Sequence, residues 1–131
     1  MTCKDVYRNA LAILAESMVQ GDNEDFEERA PFLLANFCTE LFDRDSAMRH
    51  FLGEAQGEEL ESAFLPLESE FPLLARFAPA AAIYLAAMLI ADDNQEFHEK
   101  LYERYCDTIA SVCENISAIS EKILNRYKCW V

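Results

Sequence analysis

The sequence is poor in the residues that form turns. It has three Gly and four Pro among 131 residues, whereas Ala, Leu, Glu and Phe are abundant. A β fold with many turns needs Gly and Pro at those turns, so this composition favours helices. About half of the residues are apolar, which is enough for one sizeable core. We therefore expect a single helical domain over residues 1–131.

Basic residues and long hydrophobic runs are also scarce. The chain has 11 Lys and Arg against 24 Asp and Glu, for a net charge of −13. Such a surface repels phosphate backbones and anionic lipids, so we expect no direct nucleic-acid binding. The longest apolar run, residues 77–91, is shorter than the roughly twenty residues that a membrane span needs. It is typical of a buried helix and predicts no membrane association.

Motifs for catalysis or metal binding are missing from the sequence. Neither His50 nor His98 follows a Glu by three residues, as the ligands of helical di-iron sites do. Cys106 and Cys113 are seven residues apart, whereas zinc-binding thiolates are usually separated by two to four residues. There is no glycine-rich phosphate loop and no nucleophile elbow. We predict solvated histidines, cysteines that serve as small core residues, no catalytic residue, no metal, no cofactor and no small-molecule substrate.

The cysteines predict the compartment of the protein, and the acidic runs have a structural interpretation. An odd number of scattered cysteines, with no leader-like segment before them, is typical of reduced thiols in a cytoplasmic protein; these are Cys3, Cys38, Cys106, Cys113 and Cys129. The acidic runs at residues 22–28, 54–61 and 92–93 are interpreted as solubilising charges and as partners of helix dipoles.

Apolar spacing predicts the first elements. A capping box of Thr2 and Asp5 opens a first helix, whose stripe is Tyr7, Leu11, Leu14 and Met18. Residues 21–23 break the pattern and cap a second helix, over 26–41, in which Pro31 marks the first turn or a kink. A short helix and an acidic loop are expected between residues 43 and 63, then an extended crossover over 64–71.

The remaining chain predicts a central helix and a long last helix. Pro72 suits the first turn of a third helix, Pro79 bends or restarts it, and residues 80–91 are apolar on every face, as in a helix at the centre of a bundle. Residues 92–94 cap the last helix, whose apolar stripe runs from Phe97 to Trp130. The fold class is therefore an all-α bundle of four to five helices, with a central apolar helix at about 80–91.

The last helix would be about 50 Å long if it is continuous. A compact domain of this size has a radius of gyration of about 14 Å. Two alternatives are open: the helix breaks near residues 117–120 and folds back, or its end projects from the bundle.

Half of the chain resembles a known class of small proteins. The segments 67–72, 80–93 and 101–105 follow one another as an extended segment, an Ala/Leu-rich helix, an acidic turn and a helix with a terminal Tyr. In this order, and in the openings 7–14 and 28–34, the chain resembles the head-to-tail connector, or neck, proteins of tailed bacteriophages and prophages. The resemblance implies an all-helical structural adaptor without enzymatic activity, which assembles as a ring and, in an active phage, belongs to the virion.

The sequence thus supports a leading functional hypothesis and two others. The leading one is a non-enzymatic phage-related adaptor that binds copies of itself or phage structural proteins, with Ile123, Tyr127 and Trp130 at the interaction surface. The alternative is an acidic regulatory or inhibitor module that binds a basic protein, for example by imitating nucleic acid. A third hypothesis is an accessory subunit of an enzyme.

Overall fold

Helices surround one apolar helix in this chain. The computed structural model describes residues 1–14 and 24–128, with side chains for residues 1–14 and 25–114. Within those ranges lie four α-helices and one 3₁₀ turn. The helices are α1 (Cys3–Ile13), α2 (Glu24–Leu52), α3 (Ala78–Ile90) and α4 (Gln95–Lys128), and the turn is Ala75–Phe77. The described residues form no strand, only an isolated bridge between Thr2 and Glu70, so the predicted all-α class is confirmed.

The capping box predicted for α1 is present. The Asp5 amide donates to the Thr2 hydroxyl at 3.3 Å, and the Thr2 amide donates to the Asp5 carboxylate at 2.9 Å. The bond from the Thr2 amide, and a further bond from the Thr2 hydroxyl to the Asp5 carboxylate at 3.2 Å, lower the pKa of this carboxyl. Tyr7, Leu11 and Leu14 are buried, as their spacing predicts. Met18 and the predicted break at residues 21–23 lie outside the described residues.

The second helix is longer than expected. The separate short helix predicted after residue 43 is wrong, because α2 runs without a break from Glu24 to Leu52 and contains Pro31 in its interior. It ends at Gly53, which has a φ of 72°. The Gly53 amide donates to the His50 carbonyl and the Glu54 amide donates to the Arg49 carbonyl, which is a Schellman arrangement that only a residue without a Cβ adopts easily.

A segment without regular secondary structure, the crossover segment (residues 53–74), connects α2 to the 3₁₀ turn. It pairs with the start of α1: the Cys3 amide donates to the Ser69 carbonyl at 2.9 Å and the Lys4 amide to the Leu67 carbonyl at 2.8 Å. Residues 64–71 thus form no helix, as predicted, but their course is not fully extended, because a turn closed by the Ser69 amide and the Pro66 carbonyl interrupts it. The assignment of Pro72 to a helical first turn is wrong, since Pro72 precedes the 3₁₀ turn and its carbonyl accepts a hydrogen bond from Arg49.

The predicted central helix is confirmed. Every residue of α3 is buried except Pro79 in its first turn and the half-buried Met88. α3 packs against α1, α2 and α4, and its many alanines allow these helices to approach closely. Arg29 of α2 donates to the carbonyls of Met88 and Leu89 at 3.0 and 3.4 Å, which satisfies carbonyls that the end of α3 leaves free. None of the described helices combines the length and the apolar character that crossing a membrane requires.

The last helix is continuous. The Asn94 side chain accepts from the Phe97 amide at 3.0 Å, so residues 92–94 do cap it as expected, and the helix then runs for 34 residues to Lys128. The break considered at residues 117–120 is therefore wrong. At about 1.5 Å per residue the helix is about 51 Å long, whereas α3, its main neighbour, is about 20 Å long.

Candidate protein-binding groove

A groove runs along the outer side of α2. One wall consists of α2 residues at helical spacing, Asn36, Thr39, Glu40 and Asp43, and the other consists of residues 58–63 of the crossover segment. Two cavities of about 290 and 370 Å³ occupy it, and a third cavity of about 520 Å³ is lined by the crossover segment alone; Leu60 lines all three. We call this feature the acidic groove. Its α2 wall spans about two turns of the helix, or about 11 Å.

A buried ion pair fixes the position of the crossover segment beside α2. Asp45, which is 1% exposed, accepts from the Arg49 side chain at 2.8 Å and from the Leu74 amide at 2.8 Å. Arg49 also donates to the carbonyls of Ala55 and Pro72 at 3.0 and 3.1 Å. The two ends of the segment are thus attached to one turn of α2. The wall of the groove that the crossover segment forms is therefore held in place by buried hydrogen bonds.

The groove carries unneutralised negative charge. Residues 53–74 contain six Glu and no Lys or Arg. The cavities are rimmed by Asp43, Glu58, Glu59 and Glu61, and none of these four has an ion-pair partner among the residues that the structure describes. A cluster of carboxylates without ion-pair partners attracts a cationic partner and repels an anionic one.

An exposed aromatic pair adds an apolar contact surface to this charge. Phe32 and Phe64 are 52% and 43% exposed, and their rings meet edge to face with centroids 5.1 Å apart. Phe64 also lines the largest of the three cavities, together with Leu60. Large apolar side chains held at the surface beside polar groups are typical of protein-binding sites.

The thiol in the groove does not suit nucleophilic chemistry. Cys38 lines the 290 Å³ cavity, and burial raises the pKa of its thiol to about 12. The nucleophile in cysteine chemistry is the thiolate, so a thiol that stays protonated at neutral pH is a poor candidate. The groove therefore presents carboxylates and apolar side chains, but no reactive thiolate at Cys38.

A cluster of aromatic rings lies where α2, α3 and α4 meet. Tyr84 and Tyr105 have centroids 5.2 Å apart, and Phe37 packs within 6.1 Å of both. Burial raises the pKa of both phenols, and the Glu40 carboxylate raises it further. These phenols remain neutral at physiological pH. The cluster therefore acts in packing and fixes the register of α4 on the bundle.

The outcomes for the residues singled out by sequence differ. His50 is exposed as expected, but His98 is half-buried and its Nδ1 lies 2.7 Å from the Ala87 carbonyl oxygen. Cys106 is exposed and Cys113 half-buried, so they are not core residues; α4 turns this face away from the bundle. In the described ranges no three His, Cys, Asp or Glu side chains come together as metal ligands.

The predicted interaction residues lie at the far end of α4. Ile123 and Tyr127 belong to its described backbone, but their side-chain surroundings lie outside the described part, and Trp130 lies beyond it. Sequence reasoning missed the acidic groove. The signal in the sequence is the acidic run at residues 54–61, which contains Leu60 and is followed by Phe64. We interpreted its charge as serving solubility.

A comparison with protein-family models, with curated proteins and with solved structures finds no match to this chain. The geometry of the acidic groove and of α4 is therefore the basis for a functional proposal.

The burial of the thiols leads to a prediction about their reactivity. In the native protein at pH 8, Cys106 should be alkylated by iodoacetamide within minutes, because it is exposed. Cys3 and Cys38 should react only after unfolding, because they are buried and burial raises the pKa of each thiol. Mass spectrometry of the modified peptides measures each site. After denaturation without a reductant all five cysteines should react, and an unreactive pair linked by a disulfide would contradict this prediction.

Proposed function

We propose that this protein is a non-enzymatic adaptor that associates with other copies of itself through the far end of α4. The observation that supports the proposal is the loss of burial along this helix. Leu101 and Tyr105 are buried, whereas Ile109 and Val112, the next two residues of the same stripe, are only half-buried. The helix continues beyond them for about four more turns.

The sequence of that extension supports the same proposal. The apolar stripe of α4 continues at Ile116, Ile119, Ile123 and Tyr127, with the spacing of three and four residues that places them on one helix face. α3 is about 20 Å long, whereas α4 is about 51 Å long. An apolar helix face is costly in water unless it is covered, and a second copy of the chain is the simplest partner to cover it.

A head-to-tail connector of a phage or prophage is the specific form of adaptor that we favour. The support for it is the resemblance of residues 67–72, 80–93 and 101–105 to such proteins, together with the assembly surface argued above. In this form the associated copies would constitute a ring, which would contact further phage structural proteins.

Serine substitutions in the stripe test the assembly role. We expect that changing Ile119, Ile123 and Tyr127 to Ser lowers self-association at least about tenfold, because burying each large apolar side chain contributes about 1.5–3 kcal/mol. Sedimentation velocity over a concentration series measures this change. Circular dichroism should show that the variant keeps its helices.

A matched control uses the opposite face of the same helix. Changing Ala118, Glu121 and Asn125 to Ser alters helix propensity in the same segment but should leave self-association unchanged. If the stripe variant instead melts far below the wild type and still associates, the stripe packs within one copy. A wild-type protein that stays monomeric at millimolar concentration would refute self-assembly.

A second candidate function is an acidic module that binds and regulates a basic protein. The observation that favours it is the charge of the acidic groove, where four carboxylates have no ion-pair partner among the described residues. The variant with Ser at residues 119, 123 and 127 distinguishes the two functions. It should lose self-association but still bind a basic protein at the groove, and that binding should weaken steeply as ionic strength rises.

A further inference from the structure

We propose that the acidic groove of one copy binds the far end of α4, residues 115–131, of another copy. This inference rests on the proposed self-assembly and adds the surface at which it occurs. The association would then be head to tail, because a groove on one copy meets a helix end on the next. Such a contact uses two different surfaces of the chain and extends to rings or open chains.

Charge complementarity is the first argument for this occupant. Although the whole chain has a net charge of −13, residues 115–131 hold three basic residues, Lys122, Arg126 and Lys128, against the single acidic Glu121. Residues 53–74 hold six Glu and no basic residue. The basic end of α4 and the acidic crossover segment thus carry opposite charge. Opposite potentials of this kind accelerate encounter and select orientation.

Shape and apolar character agree with the charge. Lys122 and Arg126 are four residues apart, the spacing that places two residues on the same side of a helix, and they flank a stripe of isoleucines. The groove offers the matching pattern: Glu58 and Glu59 on its rim, and Leu60 with Phe64 as apolar contacts. An amphipathic helix in a groove is a common mode of recognition.

The length of α4 is the argument that the occupant belongs to another copy. The helix runs unbroken from Gln95 to Lys128 and is about 51 Å long, whereas α3, its main neighbour, is about 20 Å long. Burial falls from Leu101 and Tyr105 to the half-buried Ile109 and Val112 before the basic end begins. We therefore assign the basic end to a neighbouring copy.

Charge reversal on each side tests the contact in full-length chains. One variant carries Glu58→Lys and Glu59→Lys in the groove, and the other carries Lys122→Glu and Arg126→Glu in the helix. Each variant alone should lose self-association at least about tenfold, because like charges then face each other. An equimolar mixture should regain association, and so should one chain that carries all four changes. Sedimentation velocity at low and high salt measures these states, and association of the wild type should weaken as salt rises.

The control variant carries Glu99→Lys and Glu103→Lys, two exposed positions on α4, and should associate as the wild type does. If the helix variant alone loses association while the groove variant behaves as the wild type, the helix ends pair with each other; that result overturns this inference and leaves the proposed self-assembly intact. If neither variant changes association, the groove has no role in it and the inference is wrong. A wild type that never associates would overturn both proposals.

Discussion

Replacing Leu85 with Asp is expected to prevent the chain from folding. Leu85 is completely buried in α3, the helix that packs against each of the other three. A carboxylate at that site has no hydrogen-bond partner and costs on the order of 5 kcal/mol or more. A domain of this size has a total stability of about 5–15 kcal/mol. The variant should therefore show neither a cooperative thermal transition nor the helical circular dichroism of the wild type.

The matched control for this prediction is Ala110→Asp. Ala110 is an exposed residue inside α4, so the same charge is added to a helix without being buried. The control should melt within a few degrees of the wild type. A soluble Leu85→Asp protein with a cooperative transition would show that α3 is not the centre of the fold.

Replacing Asp45 with Ala is expected to cause the second largest loss of stability. The change removes the acceptor for both Arg49 and the Leu74 amide and leaves the guanidinium group, which is 17% exposed, without its counter-ion. Breaking a buried ion pair on one side costs about 3 kcal/mol or more. For a chain of this length we expect the melting temperature to fall by about 10 °C.

The crossover segment should respond as well, since Asp45 and Arg49 attach it to α2. Limited proteolysis of the Asp45→Ala variant should cut within residues 53–74 at least about tenfold faster than in the wild type. The control is Asp25→Ala, which removes the other Asp–Arg pair of α2, between Asp25 and Arg29, at 65% exposure of the carboxylate. Removing an exposed pair of this spacing costs about 0.5 kcal/mol. Equal effects of the two substitutions would contradict the role given to Asp45.

Local signals in the sequence determined several elements. The capping box at Thr2, the all-round apolar character of residues 80–90 and the cap at Asn94 each depend on residues near one another in the chain, and each predicted what the structure contains. The polar residues 43–50 were misleading because their pattern weakens while α2 continues. There the buried Asp45 accepts a hydrogen bond from the amide of Leu74, 29 residues away, a contact that the local pattern does not reveal.

The cysteines show the same limit. Spacing places Cys106 and Cys113 on one face of α4, but spacing alone does not say whether that face meets the bundle. The structure turns it outward and instead buries Cys3 and Cys38. Burial of a residue depends on which neighbour its helix face meets, and that neighbour comes from another part of the chain.

The helical class, the central position of α3 and the long apolar stripe of α4 are thus predictable from the sequence, because composition, caps and periodicity act within a few residues. The continuity of α2, the position of the crossover segment beside it and the acidic groove between them follow from the three-dimensional fold. Those features arise from hydrogen bonds and packing between distant segments, such as the Arg49 contacts to Ala55 and Pro72. A one-dimensional pattern does not contain these pairings, since it records which residues are neighbours along the chain and not which become neighbours in space.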